Sequence, residues 1–334
     1  MKLSKLSLCL LLTTLLSVSC VYAESPASPT EPTLDASIVE VDHLPCVRYS
    51  FRLFKEPRPI RVHVLTIDLS QDKVEPVVVI GDNPPEEDRN AVRADPRTLA
   101  AHPHLMAFVN TNPWTPWGPI YPMNVTISGL AATGGVIRSP HCGVSVWTDT
   151  HGRVFIGDPQ GGDIQEGVGG FQQILKAGQI IVEKGGPLHP RTAIGINQQG
   201  DRMVWAVADG RQPGFSEGMS LDELAVLMRE EDCWDAANMD GGGSSILGIV
   251  DKDGRIHILN RPPGPPGYLR PVPVILTVRQ KLAAGAFPFW LRRETRAGIG
   301  CRSVVNRWVR AVLQLFCGSV FSRFGFRSHP ADAP

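Results

Sequence analysis

The chain has 334 residues, with 33 Lys and Arg against 33 Asp and Glu, 20% charged and 43% hydrophobic. Its 33 Gly and 29 Pro exclude a coiled coil or helical bundle, and its apolar fraction excludes wholesale disorder. The zero net charge hides an uneven spread: residues 1–23 carry +2, residues 24–280 carry −9 and residues 281–334 carry +7. An acidic body lacks the basic face of a nucleic-acid binder, so no nucleic-acid partner is expected.

Lys2 and Lys5 precede an apolar run from Leu6 to Leu16, and the segment ends Val21-Tyr22-Ala23. This is the pattern of a secretory signal, expected to be cut after Ala23, so the protein is expected in the periplasm or outside the cell, with an envelope association open. Five cysteines remain beyond that point (Cys46, Cys142, Cys233, Cys301 and Cys317). Export permits disulfides, but no pair has the spacing of a metal knuckle. Residues 24–40, rich in Pro, Ser, Thr and Glu, read as a flexible leader, and residues 41–280 as the folded domain.

Within that domain the alternation of Val47–Phe51 and Arg61–Asp68 predicts strands. Leu105–Val109 reads as a buried strand that empties into the polar loop Asn110-Thr111-Asn112-Pro113-Trp114, which continues to Pro119. Hairpins are predicted for Val144–Trp147 with Arg153–Ile156, for Thr192–Ile196 with Met203–Ala208, and for Ile246–Val250 with Arg255–Leu259. Ser220-Leu221-Asp222-Glu223 fits a capping box opening a helix, Ala236–Met239 reads as a strand, and Pro273–Val278 as the closing strand. The expected class is α+β: a mixed, mostly antiparallel, hairpin-built sheet with a few packed helices.

Three places can carry chemistry. In Asp240-Gly241-Gly242-Gly243-Ser244-Ser245, three glycines permit close backbone approach, so their N–H groups can line an anion pocket. Ser244 and Ser245 add hydroxyls, and Asp240 can serve as base, nucleophile or metal ligand. The run lacks the G-K-[ST] ending of a nucleotide P-loop. Arg191-Thr192 and Asp209-Gly210-Arg211 bracket one hairpin, so both ends meet at one sheet edge. Arg191 and Arg211 then offer planar, two-pronged recognition of a phosphate or carboxylate. Asn110 opens a Pro/Trp loop, where Trp faces can stack on sugars and an amide can read hydroxyls, or the Trp can simply pack. His63 and His189 lie near these segments. No H-E-x-x-H, G-x-S-x-G or G-x-G-x-x-G occurs.

In this order the motifs resemble the phosphodiester glycosidase family, from Arg61 to Val278. The residues that carry the likeness are Ala107–Asn110, His189–Gly195, Val207–Arg211, Met219–Ala225 and Ala236–Ser245, with Arg270-Pro271-Val272 similar to a closing Arg motif. The Thr111-Asn112-Pro113-Trp114 stretch departs from many relatives and looks like a bacterial subgroup. The resemblance implies hydrolysis of a sugar C1–O–phosphate linkage in a sugar phosphodiester or phosphoglycan, with envelope or extracellular polysaccharide as one setting. It makes Asp240 and Asp209 candidates for nucleophile, base or oxocarbenium stabiliser, with Asn110 and Thr192 beside them. Arg191, Arg211, Arg270 and the Gly241–Gly243 amides become donors to the leaving phosphate. No cofactor is required, and a divalent cation on the Asp residues stays open. The alternative is a non-catalytic glycan- or phosphate-binding module on the same scaffold.

The tail 281–334 has no counterpart in the family. Val304, Val305, Trp308, Val309, Val312, Leu313 and Phe316 recur at helical spacing, with Arg307 and Arg310 opposite. Such a basic amphipathic segment suits either an anionic membrane or cell wall, or docking on the acidic body.

Overall fold

The computed structural model describes residues 39–40, 44, 46–116 and 123–281. The signal segment, nearly all of the leader, Trp117-Gly118-Pro119 of the loop and the tail from 282 onward lie outside the described residues.

The largest sheet has eight strands, in the order Val39–Glu40, Val47–Phe54, Ile60–Asp68, Arg202–Ala208, Arg191–Ile196, Asp235–Asn238, Gln172–Lys176 and Gln179–Ile180. A five-stranded sheet runs Ile256–Ile258, Leu247–Val250, Leu105–Asn110, Val274–Gln280 and Val74–Ile80. A second of five runs Val136–Ser139, Ala131–Thr133, Glu166–Gly170, Val144–Thr148 and Val154–Gly157, and a small ribbon joins Ala91–Val92, Asn124–Ile127 and Trp114–Thr115.

The α+β expectation is overturned: the protein is mostly β, with 45% strand against 7% helix. Among the described residues there are two α-helices, of 4 and 10 residues. Every described pairing between these strands is antiparallel, so the sheet is not mixed either. The physical reason is connectivity. A parallel pair needs a crossover of a dozen or more residues, usually helical, whereas this Gly- and Pro-rich chain reverses direction in short turns. The one strong helix signal is correct in itself: Ser220 caps Leu221–Glu230 with a complete capping box, and Leu224, Ala225, Leu227 and Met228 are buried. It gave no licence to expect more helices. The three predicted hairpins form in register. Cys46, Cys142 and Cys233 are free thiols.

The period-2 alternation of the large sheet sorts its side chains into two cores. Val62, Val64, Ala193, Val204, Ala206 and Ala208 pack with Leu224, Leu227 and Met228 of the helix. Leu65, Ile67, Ile194, Ile196, Trp205 and Val207 face the interior shared with the other sheets, against Phe108, Val109 and Leu276. By the same parity Thr192 and Asp209 fall on the interior face, and Arg191 on the helix face. The strand ends at Asn110, Arg191, Ala208 and Asn238 therefore meet where the large sheet touches the five-stranded one.

Candidate active site

Asn110 closes the buried strand Leu105–Asn110 and joins the two sheets. Its Nδ2 donates to the Asp240 carbonyl at 2.7 Å. Its Oδ1 accepts from Thr192 Oγ1 at 2.8 Å and from the Ile246 N–H at 3.0 Å. Both lone pairs of that oxygen are thus engaged, and Asn110 acts here as a clip rather than a reader of hydroxyls. Thr192, fully buried, shares the clip. Trp114 is likewise buried, with the Arg93 guanidinium over its ring at 5.3 Å, so this Trp packs.

Asp240 follows the strand Asp235–Asn238, and its N–H donates to the Thr111 carbonyl at 2.8 Å. Its side chain is 3% exposed. Oδ1 accepts from the Gly241 N–H at 2.9 Å, while Oδ2 has no hydrogen-bond partner among the described residues. Burial pushes this carboxyl up to about 7, against the opposing pull of the Ser244 hydroxyl, Arg270, the Gly241 N–H and Arg211.

The glycines serve a close approach, but not the one expected. A Cβ on Gly242, whose φ is +63°, would stand 2.9 Å from Arg211 Nη1, and one on Gly243 would stand 2.6 Å from Arg270 Cζ. A Cβ on Gly241 would stand 2.7 Å from the Pro190 carbonyl oxygen. Two guanidinium groups therefore lie against bare backbone. Of the amides proposed to cradle an anion, Gly241 N–H is already spent on Asp240 and Gly242 N–H donates to the Pro190 carbonyl at 2.9 Å. The Ser244 hydroxyl lies close enough to the Asp240 carboxyl to oppose its upward shift, and among the described residues the buried Ser245 hydroxyl and Asn238 Oδ1 have no hydrogen-bond partner.

Arg191 donates through Nε to the Met219 carbonyl and through Nη2 to the Pro187 carbonyl, both at 3.0 Å, which fixes its plane. Arg211, at φ +58°, brings Nη2 to 3.2 Å from His189 Nδ1. Burial first, then the charges of Arg211 and Arg191, push His189 toward its neutral form. Burial and Arg211 likewise lower the pKa of Arg191. Positive charge is concentrated here to the point of self-repulsion, the electrostatic signature of a place prepared for an anion.

Asp209 is 1% exposed and built differently. Oδ1 accepts from Asn260 Nδ2 at 3.1 Å and from the Arg261 N–H at 3.0 Å. Oδ2 lies 3.4 Å from His63 Nε2, whose Nδ1 is 2.9 Å from Tyr49 Oη. Asn260 also donates to the Ser245 carbonyl at 3.0 Å, which ties Asp209 to the glycine turn. Asn260 and Tyr49 escaped sequence reasoning, and His63 was noticed only for its position. The register contained the signal: His63 pairs with Val207, so Asp209, two residues on, shares its face.

Close contacts thus link Asn110, Thr192, Asp209, Arg211 and Arg270 to the Asp240–Ser245 turn. The Arg211 and Arg270 guanidiniums stand near the buried Asp240, and Arg191 stands near Arg211. Among the described residues no group of three or more His, Cys, Asp and Glu side chains could hold a metal ion.

Residues 107–279 match the family model described as phosphodiester glycosidase. A hypothetical protein from Synechocystis superposes with a TM-score of 0.55 at 12% identity, covering 70% of this chain and 62% of that one. The zebrafish N-acetylglucosamine-1-phosphodiester alpha-N-acetylglucosaminidase catalytic domain, auto-inhibited by its pro-peptide, superposes with a TM-score of 0.53 at 15% identity. That match covers 70% of this chain and 82% of the zebrafish one. The chain thus spans less than two thirds of the length of the Synechocystis structure. No curated protein matches it.

Proposed function

The chain belongs to the phosphodiester glycosidase family, and we propose that it hydrolyses a sugar C1–O–phosphate bond with Asp240 as the reacting carboxyl and Arg191, Arg211 and Arg270 as receivers of the phosphate. The observation that supports this most is the pair of guanidiniums laid on Gly242 and Gly243 beside an acid whose Oδ2 has no partner among the described residues.

The chemistry follows from where charge develops. As the C1–O bond breaks, the electron pair leaves with the phosphate monoester and positive charge grows on the sugar ring. Fixed guanidiniums stabilise the departing oxygen without reorganising, so the leaving group needs little help from a proton donor. An ionised Asp240 stabilises the ring cation, either directly or by taking a proton from the attacking water. Water supplies the hydroxyl at C1, and the products are a reducing sugar and a phosphate monoester. Asn110 and Thr192 hold the Asp240 backbone in place. Asp209, saturated by Asn260 and the Arg261 N–H, anchors the turn and serves as a positioning residue. The acidic body and the N-terminal apolar segment are consistent with an extracytoplasmic sugar polymer as the substrate.

The test is release of methyl phosphate from a hexose 1-(methyl phosphate) by the wild type and by Asp240→Asn. Turnover by the wild type and a loss of at least about a hundredfold in the variant is expected. Saturable binding with turnover by neither would assign a binding module instead.

A further inference from the structure

A hollow of about 630 Å³ has none of the candidate site residues in its lining. Its walls include Val79, Ile80, Val92, Ala94, Leu99 and Leu105. It flanks Val74–Ile80, the outermost strand of its sheet, which pairs with Val274–Gln280 on one side only. The hollow runs the length of that edge: Leu105 and Arg279 mark its end remote from Asn110, and Val79 and Ile80, opposite Ile275 and Val274, mark the other.

We infer that this hollow receives the apolar stripe of the chain's own C-terminal segment, Val304–Phe316. Three observations choose this occupant. The first is where the described chain ends. Arg279 lines the hollow, and Lys281 donates its N–H to the Lys73 carbonyl, one residue before the edge strand. The chain leaves the domain at the rim of the hollow. Twenty-two residues separate Lys281 from Val304, a length of chain that reaches about 25 Å without being drawn out, ample for a return.

The second is charge. Asp82 lines the hollow, and Glu86, Glu87 and Asp88 follow in the exposed loop that leads back to Val92 on its wall; with Arg89 paired to Asp88 and Arg138 donating to the Gly81 carbonyl at 2.6 Å, the acids stay in excess. They face a tail segment bearing Arg302, Arg307 and Arg310. Arg279, on the same wall, is paired with Glu75 at 3.0 Å. The third is pattern: Val304, Val305, Trp308, Val309, Val312, Leu313 and Phe316 form one stripe at helical spacing, which suits an aliphatic trough. A tether raises the local concentration of the stripe to about the millimolar range, so modest contact area is enough. Because none of the candidate site residues lines the hollow, docking leaves the site open.

Hydrogen–deuterium exchange on three forms of the protein tests this: the full chain, the chain ended after Lys281, and the full chain carrying Trp308→Ser, Val312→Ser and Phe316→Ser. In the full chain, residues 77–82 and 91–105 should exchange at least about tenfold more slowly than in the other two. Turnover of a small substrate should be equal in all three. Equal exchange in all three would overturn the inference. So would protection of 77–82 that rises with protein concentration, which would assign the hollow to a second copy. Flotation of the full chain alone on phosphatidylglycerol vesicles, with exchange at the hollow unchanged, would assign the stripe to a membrane.

Discussion

Replacing Asp240 by Asn should make the protein more stable and less active, and the gain should depend on pH. Burial holds the Asp240 carboxyl at about 7 in the fold, against 3.8 for an unburied carboxyl. Between those values the native chain binds a proton that the unfolded chain has released, so stability falls as pH rises across that window. The shift corresponds to about 4 kcal/mol at pH 8 and above, and to almost nothing at pH 4. An Asn keeps the acceptor for the Gly241 N–H and removes the charge. Urea unfolding of both forms from pH 4 to 9 should show curves that nearly coincide at pH 4. They should separate by about 1.5 M in midpoint at pH 8.5, with the variant the more stable. Its turnover should fall at least about a hundredfold, and wild-type turnover should rise with pH through about 7 if the ionised form reacts. Midpoints that keep a constant offset over the whole range would refute the reasoning, because the carboxylate would then not be desolvated.

Arg191→Ala should lower kcat/KM for a sugar phosphodiester by about a hundredfold while leaving hydrolysis of, or binding to, a neutral glycoside nearly unchanged, as measured by steady-state kinetics on the pair; equal losses would remove it from the phosphate role. Gly243→Ala places a methyl group where the Arg270 guanidinium lies, so phosphodiester turnover should drop by about tenfold or more, with KM affected by displacement of that group. Asn110→Ala leaves Thr192 Oγ1, the Ile246 N–H and the Asp240 carbonyl without their partner, and should lower stability by about 3 kcal/mol, or about 10 °C in Tm by calorimetry.

Local patterns were legible where one short segment carries its own geometry. The capping box at Ser220 and the turns Asp149–Gly152 and Asn197–Asp201 each specify a structure without help from distant residues, and all three form. The hairpin logic that brought Arg191 and Asp209 to one edge rests on register alone, and it holds. The helical content did not follow, because class depends on how strands connect across the whole chain. Val74–Ile80 shows the difficulty: it has Pro76 inside it, which argues against a strand, yet it survives as an edge strand where a missing N–H does little harm.

At the site, the types of residue were readable and their partners were not. The three glycines announced a close approach, but only coordinates identify the approaching atoms as the Arg211 and Arg270 guanidiniums. The two aspartates looked equivalent in sequence. Asn260, His63 and Tyr49 separate them, and these come from segments with no local motif. Long-range pairings of this kind are set by sheet packing, which composition does not record.

The most direct measurement is hydrolysis of a hexose 1-(methyl phosphate) in water enriched in oxygen-18, with the methyl phosphate product read by mass spectrometry and ³¹P NMR. Scission at the sugar carbon predicts methyl phosphate that carries no label. Label in the methyl phosphate would show attack at phosphorus and contradict the glycosidic assignment of Asp240 and its neighbouring arginines.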